Sequence, residues 1–76
     1  MSMLEYVIDV SKIEELQTLN DKDELEKIFS RAQSTIVNGE VVILTRKDRS
    51  GVAQNFDQFT TLEDLDRYKD SVFKYL

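Results

Sequence analysis

The amino-acid sequence predicts an α+β fold: a small three-stranded, mostly antiparallel sheet with two amphipathic helices on one face. The elements run β-α-α-β-β-α, the first helix being short. Three observations carry this. Val41-Val42-Ile43-Leu44, just after Asn38-Gly39, is a continuous apolar and largely β-branched run with no polar face, as in a strand covered on both sides. Upstream, Leu25, Ile28, Phe29, Ala32 and Ile36 fall within about 100° of helical arc, which defines one buried stripe. Downstream, Lys47-Asp48-Arg49-Ser50-Gly51 is a short glycine-containing loop that turns the strand back into an antiparallel partner.

Residues 4–10 read as the first strand, with Leu4, Tyr6, Ile8 and Val10 on one face. Ser11 and Glu14 have capping-box spacing, and Ile13, Leu16 and Leu19 recur every three residues, which suits a short helix or a 3₁₀ turn. A stronger start signal follows. Asp21 and Glu24 repeat the capping-box spacing, and acidic residues crowd a first turn where the helix dipole favours them. Glu26, Lys27, Ser30 and Arg31 lie outside the apolar stripe, and Asp23 with Lys27 makes a surface pair.

The end of this helix has two readings. Asn-Gly between apolar flanks is a hairpin signal, and Ser34-Thr35-Ile36-Val37 has strand propensity. Ile36 nevertheless continues the helical stripe, which favours helix to about Val37, with Gly39 supplying the left-handed stop.

The second strand of the hairpin alternates imperfectly, placing Val52, Gln54, Phe56 and Gln58 together, and is polar enough to be partly exposed. Thr60 and Thr61 both offer caps for the last helix, three residues before Glu63 and Asp64. Its stripe is Leu62, Leu65, Val72, Phe73 and Leu76, with Tyr68 and Tyr75 on one flank and Lys69 snorkelling from within. The expected core is Leu25, Ile28, Phe29, Ala32, Val41, Ile43, Leu62, Leu65 and Val72.

At 76 residues the chain is a single domain, residues 1–76, and buries only about 60% of its unfolded surface, so its stability is small. There is no Cys and no His, which removes disulfides, thiolate ligands and the commonest zinc ligand together. No cofactor or metal is expected. No apolar run approaches a membrane span, and Glu5 and Asp9 near the start argue against a signal peptide, so a cytoplasmic protein is expected. The net charge of −5 resides entirely in residues 1–30, an acidic front half that repels phosphates and suits solubility or a basic partner.

Catalysis is poorly supported. A nucleophilic Ser or Thr needs a base, usually His, and carboxylate pairs need a pocket that separates their proton affinities. Asp21, Asp23, Glu24 and Glu26 are explained by a helix start. They fail as a calcium loop because the required sixth-position glycine is Glu26. Arg46, Lys47 and Arg49 form the one concentrated basic cluster, either a contact for a phosphate or acidic partner, or the solvated tip of a hairpin. Tyr6, Tyr68 and Tyr75 are candidate partner contacts, since tyrosine is enriched at interfaces; Tyr68 and Tyr75 serve equally well as the rim of the core.

The nine residues Gly39-Glu40-Val41-Val42-Ile43-Leu44-Thr45-Arg46-Lys47, with the order of elements around them, resemble Phd/YefM-type antitoxins over roughly residues 25–70. The resemblance implies a homodimer whose N-terminal part binds operator DNA, with Arg31, Arg46, Lys47 and Arg49 as phosphate contacts. It also implies a C-terminal helix, residues 61–76, that binds and neutralises a toxin. The chain departs from that pattern in its acidic N-terminal half, in a helix about one turn longer, and in a more polar second hairpin strand. The expected function is therefore a small non-enzymatic protein-interaction module that forms a homodimer. The antitoxin-like DNA-binding regulator is the alternative, and a carboxylate enzyme is the third reading.

Overall fold

The chain leaves its first strand directly into a helix, and this junction sets the topology of the whole sheet. In the computed structural model, which describes residues 5–74 and 76, the order is β1 (Glu5–Asp9), α1 (Val10–Thr18), α2 (Lys22–Val37), β2 (Val41–Lys47), β3 (Ala53–Phe59) and α3 (Leu62–Phe73). Asp9 ends β1 and caps α1, its Oδ1 accepting the Ser11 N–H at 2.9 Å. The cap is thus Asp9, two residues before the expected Ser11, because the extended backbone of a strand end already has the geometry an N-cap requires. Val10 moves from strand to helix but keeps its inward position, 7% exposed.

Two helices between β1 and β2 make a crossover, so the two strands run parallel. β2 then pairs antiparallel with β3 across the short loop, and the sheet order is β1-β2-β3 with β2 central. The α+β architecture and element order are those expected. The sheet is mixed, with one parallel and one antiparallel pair, where a mostly antiparallel one was expected.

Both helix ends before β2 are closed by the same device. Asn20, at φ 55°, follows α1: its N–H reaches the Gln17 carbonyl, while the Asp21 N–H reaches that of Leu16. Gly39, at φ 80°, follows α2, with its N–H on the Ile36 carbonyl and the Glu40 N–H on that of Thr35. These are Schellman closures, which satisfy carbonyls that a helix end leaves open. Asn38-Gly39 therefore stops a helix and does not turn a hairpin. Asp21 caps α2 through its Oδ1 and the Glu24 N–H, and Thr61, the second of the two candidate threonines, caps α3 through its Oγ1 and the Asp64 N–H.

All three helices pack on one face of the sheet. Their stripes meet Ile8, Val42, Leu44 and Phe59 in one cluster with Val10, Ile13, Leu16, Leu25, Phe29, Ala32, Ile36, Leu65 and Val72. Phe29 sits at its centre, fully buried, with the rings of Tyr68 at 5.7 Å and Phe73 at 6.0 Å. α1 is a full helix that contributes Val10, Ile13 and Leu16, while Leu19 lies at its cap and is exposed. Leu62 was expected in the core. It is the first residue of α3, entering from the exposed Thr60 and Thr61, and remains 42% exposed. Ile28 packs at the margin of the cluster and Val41 is half-buried. Tyr75 and Leu4 lie outside the described residues.

A bulge interrupts the β2/β3 ladder. Leu44 pairs with Asp57 and Thr45 with Asn55, leaving Phe56 as the extra residue. The expected common face of Val52, Gln54, Phe56 and Gln58 is thereby broken. Gln54 shares the side of Arg46, Gln58 shares the side of Ile43, and Val52 precedes the strand.

Candidate interaction surfaces

The sheet has a second face, and no described element covers it. Cross-strand partners share a face. Tyr6, Ile8, Val42 and Leu44 point to the helices, so Glu5, Val7 and Asp9 of β1 lie with Val41, Ile43 and Thr45 of β2 on the far side. Gln58 and Asn55 extend this side across β3. The result is an apolar centre of Val7, Val41 and Ile43, with carboxylates on the β1 side and amides on the β3 side. Ile43, on the central strand, is 7% exposed, and Thr45 beside it donates a hydrogen bond to the Ile8 carbonyl at 3.5 Å.

The two flanking edges differ. β3 carries the bulge and places Asp57 on the helix side opposite Leu44, both devices that discourage strand addition. β1 is only five residues long and is overlain by Arg31, whose guanidinium sits 4.7 Å from the centre of the Tyr6 ring. Burial pushes the Tyr6 hydroxyl above its ordinary proton affinity, and the Arg31 charge partly offsets this.

Tyr68 is built differently. Its ring packs against both Phe29 and Phe59, each 5.7 Å away, at the rim of the core. Burial, and then the Glu14 carboxylate, push its pKa up to about 12, while Arg46 acts in the opposite direction. Glu14 and Arg46 join α1 to the end of β2 in a two-point pair: the Arg46 nitrogens donate to the two carboxylate oxygens at 3.0 and 3.3 Å. This hydrogen bond and charge hold Arg46 above its ordinary pKa.

The hairpin tip is organised by one carboxylate. Asp48 accepts hydrogen bonds from the Ser50 N–H (2.9 Å), the Ser50 hydroxyl (2.6 Å), the Val52 N–H (3.0 Å) and the Gln54 amide (3.2 Å). The Ser50 hydroxyl and then the Val52 N–H are the main causes that depress its pKa. Gly51 takes the left-handed turn position at φ 86°. Lys47, Arg49, Val52 and Phe56 stand exposed around this fixed loop.

A cleft of about 420 Å³ opens between β3 and α3, lined by Asp57, Gln58, Phe59, Asp64, Arg67 and Tyr68. It holds two carboxylates, the minimum for acid–base chemistry. Asp57 is exposed and accepts the Gln58 N–H; Asp64 is half-exposed and holds Arg67 at 3.4 Å. Neither has the burial that separates the roles of a carboxylate pair. Asp21, Asp23, Glu24 and Glu26 stand at the start of α2, with Glu24 on Lys27 and Glu26 on Lys69. Among the described residues no group of three or more potential ligands is placed to hold a metal ion, and no helix is long and apolar enough to cross a membrane.

Comparison with known proteins returns nothing: no family model, curated protein or solved structure is significantly similar to the chain.

The residues singled out in the sequence are thus dispersed. Arg31 lies over Tyr6, four ladder positions along β1/β2 from the level of Arg46. Arg46 is held by Glu14, while Lys47 and Arg49 share the tip. Tyr6 is on the sheet edge and Tyr68 on the core rim. The uncovered face was not named from the sequence, although the two-sided apolar run at Val41-Val42-Ile43-Leu44 was its signal.

Proposed function

We propose that the protein is a small non-enzymatic interaction module that associates, weakly and with itself, through the uncovered sheet face. The observation that carries this reading is the apolar centre Val7, Val41 and Ile43 on a face with no described element over it. Layered domains bury both faces of a strand as apolar as β2. Polar side chains also favour one arrangement. A two-fold axis along β2 sets β1 of one copy over β3 of the other, so that Glu5 and Asp9 meet the amides of Gln58 and Asn55. The other in-plane axis stacks carboxylates on carboxylates.

Size sets the strength. The face spans roughly 14 Å across the strands and roughly 24 Å along β2, on the order of 300 Å². A standard interface buries about 800 Å² per partner, so a transient homodimer is expected. As part of this reading we place the module in the cytoplasm, since small domains of oxidising compartments lean on disulfides and this one has none. Sedimentation of the wild type and of Val7→Lys, from micromolar to millimolar concentration, tests it. Reversible association lost in the variant is expected; identical monomers throughout would overturn it.

The antitoxin-like reading draws on the two unpaired cations of the tip, Lys47 and Arg49. It receives less from Arg31 and Arg46, which already have partners. Duplex DNA retarded at about 50 mM salt, and released by more salt, would restore it.

A further inference from the structure

The hairpin tip carries a second surface with its own chemistry. Three observations meet there. Among the described residues, Lys22, Lys47 and Arg49 are the cations with neither an ion pair nor an aromatic partner, and two of these three stand on this one loop. The bulge delivers Phe56 as its extra residue at the sheet edge, 55% exposed, and Val52 next to the loop is 57% exposed. Beside Phe56 lies a shallow depression of about 220 Å³ that Arg46, Lys47, Asp48 and Gln54 also line.

The loop is also held in place before any contact is made. Asp48 ties Ser50, Val52 and Gln54, and the backbone closes twice more, from the Asp48 N–H to the Val52 carbonyl and from the Gly51 N–H to the Asp48 carbonyl. A surface fixed in advance loses little entropy on binding.

We propose that this tip docks an acidic segment of a partner protein that carries a large apolar side chain. The partner's carboxylates meet Lys47 and Arg49, and its apolar side chain fills the depression against Phe56. Charge complementarity selects this occupant. The tip is basic in a chain whose net charge is −5. A nucleic acid strand would continue past the two cations with one charge per ~3.4 Å and meet that acidic remainder. A short peptide keeps its charges local. This inference rests on the reading of the chain as an interaction module but uses a different surface from the sheet face, so each fails on its own.

The test titrates an acetylated, amidated hexapeptide of sequence Glu-Asp-Leu-Phe-Glu-Asp into the isotope-labelled full chain and follows the amide resonances. Shifts confined to residues 46–56 are expected, with binding weakened roughly tenfold or more in the K47E/R49E double variant. Phe56→Ser should weaken binding while leaving Lys47 and Arg49 in place. Both variants change exposed side chains, and an unchanged dispersion of core resonances shows that they fold. No shift at the tip with millimolar peptide, or equal binding by the double variant, would overturn the proposal. So would a hexathymidylate strand that occupies the tip more tightly than the peptide, since the surface would then serve nucleic acid.

Discussion

Val7 and Ile43 stand side by side across the parallel β1/β2 pair on the face away from the helices, yet one is 51% exposed and the other 7%. The difference is position in the sheet. Ile43 lies on the central strand, flanked by Val7 on one side and Gln58 on the other, whereas Val7 has a neighbour on one side only. Their roles divide accordingly. Ile43→Ala should cost about 2 kcal/mol, the lower end for a buried isoleucine, while Val7→Thr should stay within about 0.5 kcal/mol. Urea denaturation of dilute samples checks both. Equal costs would mean that the two residues share one environment.

Phe29→Ala should cost about 3–5 kcal/mol, because the ring is fully buried and touches aromatic side chains from α3. A chain of 76 residues has on the order of 4–11 kcal/mol in total, so the substitution removes from about a quarter to all of it and the melting temperature should fall sharply. Thermal melting reads this directly; an unshifted transition would show that α2 does not pack through this stripe.

Much of this packing was legible beforehand. Leu25, Phe29, Ala32 and Ile36 announce α2 because a helix stripe is a local, periodic signal, and Gly39 stops it for a local conformational reason. The direction of β1 was less legible, since strand polarity is decided by a crossover that no short window contains. Val10 satisfies both periods at once, inward as the next strand position and inward as the first helical one, so the boundary at Asp9 leaves no trace in the pattern. The bulge at Phe56 is likewise a property of pairing, not of one strand's sequence. Of the candidate contacts, the cations of the tip were visible as a cluster. The capture of Arg46 by Glu14, 32 residues away, was not.

Asp48 makes the hairpin tip sensitive to acid. Its folded pKa is depressed, so the stabilisation is present above the ordinary carboxylate value near 4 and is lost as pH falls through the lower folded value. Protection of the Ser50 and Val52 amides, measured against their intrinsic exchange rates at each pH, should fall over that window while α2 stays protected. Asp48→Asn should exchange fast at every pH; a variant as protected as the wild type would remove Asp48 from its organising role.

Tyr68 sets the alkaline limit. Its folded pKa is raised to about 12, so its contribution is fully present below the ordinary value near 10 and is lost as pH rises through 12. Phenolate absorbance should show Tyr6 and Tyr68 both ionising above the ordinary value, and Tyr68→Phe should delete the step near 12 while preserving the contacts with Phe29 and Phe59. A step near 12 that survives in the variant would assign it elsewhere.

The uncovered sheet face is tested most directly by recording amide resonances of the full chain as its concentration rises from micromolar to millimolar. Concentration-dependent shifts should gather at Val7, Val41, Ile43 and Gln58, leave the exposed positions of α2 unmoved, and vanish in Val7→Lys. Spectra that do not change with concentration, or shifts confined to α3, would contradict self-association through this face.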